Sequence, residues 1–86
     1  MNLDNHTLAL IAVGASVAAN CQPCLERNVS TALKCRATDL EIAEAIEVGK
    51  RVRRGAATKM DQFANGLSNT DASISSTTKL EWGCSL

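Results

Sequence analysis

Residues 8–24 read Leu-Ala-Leu-Ile-Ala-Val-Gly-Ala-Ser-Val-Ala-Ala-Asn-Cys-Gln-Pro-Cys. The first twelve of these, Leu8 to Ala19, are small aliphatic residues interrupted only by Gly14 and Ser16. A helix built from them is apolar nearly all round, and such a helix is buried on most of its sides. It is too short to span a bilayer. Asp4 can cap its start, with Thr7 in the first turn, and Asn20 suits either a helix end or a new cap. Gly14, Ala15, Ala18 and Ala19 allow a neighbouring backbone to come close.

Working forward, Pro23 is tolerated at the start of a helix, where the first turn has no internal N–H bonds to lose. The spacing therefore predicts a second helix from about Gln22 to Lys34, with Leu25, Val29, Ala32 and Leu33 as its apolar stripe. Thr38-Asp39-Leu40-Glu41 is a capping box, in which Thr38 bonds the Glu41 N–H and Glu41 reaches back. A third helix follows, with Ile42, Ala45, Ile46, Gly49, Val52, Ala56, Met60, Phe63 and Leu67 at three- and four-residue spacing. From Asp39 to Gly66 it would be about 40 Å long, against about 25–30 Å for a compact domain of this size. It must kink near Gly49 or Gly55, or extend into an oligomer. Beyond it, residues 68–86 read as a polar tail, disordered or docked through Trp82 on a neighbour.

Composition narrows the function classes. Eighty-six residues make one small domain. Such a chain is marginally stable unless disulfides, a metal or self-association help. Nine basic and nine acidic residues cancel, so no overall field favours nucleic acid or a membrane surface. One Phe, one Trp and no Tyr leave no platform for stacking bases. Residues 1–7 carry Asp4 and no Lys or Arg, unlike a secretory leader. A cytoplasmic chain is expected, in which four cysteines point to redox or metal chemistry rather than a secreted disulfide framework.

The chemistry centres on Cys21 and Cys24. Two thiols at this spacing can close a disulfide, hold a metal or exchange electrons. At a helix N-terminus the free N–H groups and the positive dipole end favour the thiolate. Zinc wants four ligands, and Cys35 lies about 20 Å from Cys21 along helix two, so no metal and no cofactor is expected. Cys35 reads as a small buried hydrophobe and Cys84 as a tail thiol. His6, the only histidine, reads as a surface residue far from the CxxC. Glu26 is the nearest acid and could accept a proton if buried. Arg27, and the run Lys50, Arg51, Arg53 and Arg54, read as solvated charges, with Glu47 and Arg51 paired at i,i+4.

The stretches "AVGASVAANCQPCLERNVSTALKC" and "ATDLEIAEAIEVGKRV" resemble the carboxymuconolactone decarboxylase-like family, in particular its alkylhydroperoxidase D-like branch. The resemblance covers about Thr7 to Leu67. It implies an all-α domain of three main helices (residues 1–67) that assembles as dimers, trimers or hexamers. It also implies that Cys21 and Cys24 form a redox pair, re-reduced by a dithiol such as a lipoyl group. Redox-active members carry a His four residues after the second cysteine and a Glu about a dozen before the first. Here those positions are Asn28 and Ala9. Asn28 cannot take up a proton near neutral pH, so the usual proton relay is missing, and Asn28 and Glu26 remain as auxiliary candidates. By analogy with thioredoxin-type sites Cys21 is the exposed nucleophile; the family resemblance reverses the roles. The expectation is thiol–disulfide oxidoreduction with possible peroxide reduction. The alternative is a non-catalytic oligomeric scaffold, its helix one and helix three forming the interface.

Overall fold

The computed structural model describes residues 2–68. It contains three helices, α1 (Asn5–Ala18), α2 (Gln22–Lys34) and α3 (Asp39–Ser68). Among the described residues there is no strand. The fold is all-α, as the periodicity predicts. The chain forms two compact units, Met1–Ala56 and Ala57–Leu86. The first holds α1, α2, the opening turns of α3 and every candidate site residue. Of the second only the end of α3 is described; there Met60, Phe63 and Leu67 are exposed. The proposed tail lies outside the described residues apart from Ser68.

Local chemistry sets each helix boundary. Asp4 caps α1 by accepting the Thr7 N–H at 2.8 Å. Hydrogen bonds from the Thr7 hydroxyl and then its backbone hold the Asp4 carboxyl below its ordinary value. At the other end, the Asn20 N–H reaches the Val17 carbonyl and the Cys21 N–H reaches the Ser16 carbonyl, both at 3.0 Å. This double closure needs a left-handed residue after the cap, and Asn20 supplies it at φ 58°. Helix α2 ends in the same way. Arg36 takes φ 71°, its N–H meets Leu33 and the Ala37 N–H meets Ala32.

The capping box forms as the sequence predicts. The Glu41 N–H meets Thr38 Oγ1 at 3.1 Å, and the Thr38 N–H meets Glu41 Oε1 at 2.9 Å. His6 also contacts Glu41 Oε1 at 2.9 Å. The histidine expected to be a surface residue is therefore half-buried and ties the start of α1 to the start of α3. The Thr38 N–H first, and His6 second, keep the Glu41 carboxyl below its ordinary value.

The core of the first unit is Ala9, Val13, Ala32, Ala37 and Ile42, with Leu25, Val29 and Cys35 packed against it. Val13 is the only large side chain fully buried among the described residues. Helices α1 and α3 meet through backbone. A Cβ placed on Gly14 would lie 3.0 Å from the Ala45 carbonyl oxygen. One placed on Gly49 would run into the Gly14 carbonyl oxygen and lie 2.8 Å from the Val17 Cβ. Gly49 thus permits close packing, and α3 passes through both Gly49 and Gly55 as one unbroken helix. Helix α1 is not covered on every side. An open apolar groove of about 710 Å³ runs beside it, lined by Ile11, Ala15, Ala18, Val48 and Val52 among others. Ile11, Val48 and Val52 are more than half exposed.

Candidate functional site

The turn between α1 and α2 builds the site. Because Asn20 reverses the chain, Cys21 arrives in extended conformation (φ −106°, ψ 98°) as the N-cap of α2. Its carbonyl already accepts the Leu25 N–H at 3.0 Å. Its sulfur takes the place a Ser or Asp oxygen fills in an ordinary cap, accepting the Cys24 N–H at 3.3 Å. Pro23 occupies the first turn. Cys21 and Cys24 are joined by a disulfide across a Cα–Cα distance of 5.2 Å, within the ordinary span for such bonds.

The two cysteines differ in burial. Cys21 is partly buried and Cys24 is exposed. The cause is local: Cys21 is pinned by the α1 terminus through its N–H, whereas Cys24 projects from the first turn of α2.

Asn28 stands one turn beyond Cys24 on α2, and its amide faces α1. Its Nδ2 donates to Ser16 Oγ at 2.8 Å and, more weakly, to the Ala12 carbonyl at 3.5 Å. Ser16 is 5% exposed and donates its own hydroxyl to Ala12 O at 2.7 Å. Asn28 therefore satisfies a buried hydroxyl between two helices. Ala9 is packed in the core. Glu26 is exposed on the outer face of α2, bordering a shallow hollow with Gln22, Pro23 and Leu25.

Arg53 belongs to the site although the sequence placed it on a solvated face. Its Nη1 donates to Asn20 Oδ1 at 3.1 Å and to the Val17 carbonyl at 3.3 Å. Together with Ser16, Val17, Asn20, Gln22 and Leu25, it lines a hollow of about 170 Å³ that includes Cys21. In sequence Arg53 is hidden among Lys50, Arg51 and Arg54. The available signal was its position one turn after Gly49, on the face of α3 that packs against α1. Ser16 was visible as the lone hydroxyl in an aliphatic run.

Among the described residues no group of three or more His, Cys, Asp or Glu side chains could hold a metal ion. No described helix is long and apolar enough to cross a membrane. The family model for the carboxymuconolactone decarboxylase family matches residues 2–71. The chain belongs to the carboxymuconolactone decarboxylase family. No curated protein and no solved structure matches it. Within this carboxymuconolactone decarboxylase domain the paired cysteines stand at disulfide distance, which fits a redox CxxC. The positions implied for the relay hold a core alanine and an interhelical amide.

Proposed function

We propose that the chain is a dithiol–disulfide oxidoreductase of the alkylhydroperoxidase D-like type, acting through Cys21 and Cys24. The carrying observation is the disulfide at the N-terminus of α2, with Cys24 exposed and Cys21 capped. An incoming thiolate attacks Cys24 Sγ. A new S–S bond forms to Cys24, the Cys21–Cys24 bond breaks, and the electron pair leaves on Cys21 as thiolate. The second thiol of the donor, a dithiol such as a lipoyl group, then displaces Cys24, which leaves as thiolate and picks up a proton. The donor is oxidised to its disulfide and the protein is reduced by two electrons.

A peroxide runs the pair the other way. The Cys24 thiolate attacks the peroxide oxygen, the O–O bond breaks, and alkoxide leaves and takes a proton from water. Cys24 becomes a sulfenic acid, which the Cys21 thiolate converts to the disulfide, releasing hydroxide. With Asn28 and Ala9 in the relay positions, water supplies the protons, so peroxide turnover is expected to be slow. We further propose a homo-oligomer whose interface includes the α1–α3 groove, since a core of small side chains leaves this chain short of buried apolar area.

Thiol titration of the reduced full-length chain tests the redox reading. Loss of two thiols per chain on adding an alkyl hydroperoxide or an oxidised lipoyl compound is expected, and Cys24→Ser should abolish it. No loss, with Cys24→Ser behaving like the unaltered chain, removes the reading. It would leave the non-catalytic scaffold, which the Asn28–Ser16 bond favours.

A further inference from the structure

Among the described residues, Arg53 is the single charged side chain lining the hollow that includes Cys21. The wall of that hollow is Ser16, Val17 and Asn20 from the end of α1, Gln22 and Leu25 from α2, and Arg53 from α3. Glu26 borders the separate hollow with Gln22, Pro23 and Leu25, which includes neither sulfur. Arg53 is anchored by one nitrogen only, Nη1, on Val17 O and Asn20 Oδ1. Its Nε and Nη2 have no hydrogen-bond partner among the described residues. The guanidinium is thus held in place and permanently charged, on a partly buried residue that lines the same hollow as Cys21.

We propose that Arg53 is a positioning residue for the cysteine pair, selecting Cys21 as the sulfur that carries negative charge. The inference rests on the redox reading of Cys21 and Cys24. When the disulfide opens, one sulfur must leave as thiolate, and the better-stabilised sulfur leaves faster. Cys21 receives the Cys24 N–H and the end of the α2 dipole, and Arg53 adds a full charge in the hollow they share. Cys24 is then the sulfur to which the mixed disulfide forms. The same bias keeps Cys21 ready as thiolate to resolve a sulfenic acid on Cys24.

The test is the thiolate absorbance of single-cysteine full-length chains titrated with pH, alongside helical circular dichroism. Cys24→Ser with Cys35→Ser and Cys84→Ser leaves only Cys21, and Cys21→Ser with the same two replacements leaves only Cys24. Arg53→Gln, which keeps a donor but loses the charge, is expected to raise the Cys21 pKa by about one unit, a tenfold loss of thiolate below that pKa. Arg53→Lys should restore most of it, and Cys24 should move far less. With Arg53 intact, raising salt from about 0.01 M to about 1 M should also raise the Cys21 pKa through screening. If Arg53→Gln does not fold, the salt series is read as the difference between the two sulfurs, and a Cys21 shift no larger than that of Cys24 overturns the proposal. An unmoved Cys21 in folded Arg53→Gln, equal movement of both sulfurs, or no salt response in Cys24→Ser overturns the proposal. Dithiol turnover by the unaltered chain separates the two ideas. Turnover with an unmoved Cys21 sinks only the role of Arg53. A moved Cys21 without turnover sinks only the redox reading.

Discussion

Asn28 donates its side-chain amide to Ser16 Oγ across 2.8 Å, joining α2 to α1 where redox-active relatives are expected to hold a proton carrier. The bond is structural in kind, since Ser16 is buried and already donates to Ala12 O. Asn28→Ala is expected to cost about 1 kcal/mol of stability, the usual worth of one such bond. Dithiol reduction of the disulfide should be almost unchanged. Urea unfolding and single-turnover reduction check both, and a folded variant with collapsed reduction would place Asn28 in the chemistry.

Gly49 and Gly55 lie six residues apart on α3 and have opposite environments. A methyl group at Gly49 meets the Gly14 carbonyl and the Val17 Cβ, whereas nothing among the described residues lies within 4 Å of one at Gly55. Gly49→Ala should destabilise by about 2–3 kcal/mol through overpacking against backbone. Gly55→Ala should stabilise by up to about 1 kcal/mol by helix propensity. Thermal and urea midpoints of the two variants should move in opposite directions.

Arg36 sits at φ 71° after α2, a conformation disfavoured for a side chain with a Cβ. Arg36→Gly keeps the Ala37-to-Ala32 and Arg36-to-Leu33 backbone closures available. It should stabilise by about 0.5–1 kcal/mol, the relieved strain exceeding the added freedom of the unfolded chain. A lower urea midpoint would contradict this.

Glu41 is depressed by the Thr38 N–H and then by His6. A depressed carboxylate binds fewer protons folded than unfolded, so its contribution is complete above the unfolded value and fades as pH falls through the folded one. Acid should therefore weaken the chain below about pH 4.5. Glu41→Gln, which can still accept from Thr38, should flatten that part of the profile. Urea midpoints between pH 6 and pH 3 (about the carboxylate window) measure it.

The helices were legible because their signals are local. Asp4, Pro23, the Thr38–Glu41 box and Asn20 each act within a few residues of themselves, and each appears at the boundary it marks. The cysteine pair was legible for the same reason, since a three-residue separation at a helix start leaves the sulfurs little choice. Arg53 and Ser16 were not. Their partners lie 33 residues away at Asn20 and twelve away at Asn28, so the spacing from Gly49 to Arg53 and the lone hydroxyl at Ser16 marked positions without naming what they meet. The contact between His6 and Glu41 was hidden for the same reason, the two being 35 residues apart.

By itself the sequence determined three α-helices, their caps and a CxxC at the mouth of the second, because capping, helical period and proline geometry are short-range effects. The tertiary structure decided that Cys21 is the more buried cysteine, that Asn28 is spent on Ser16, and that Arg53 and Cys21 line one hollow. Only the last of these depends on how closely α3 approaches α1, and that closeness is set by two glycine backbones meeting at Gly14 and Gly49.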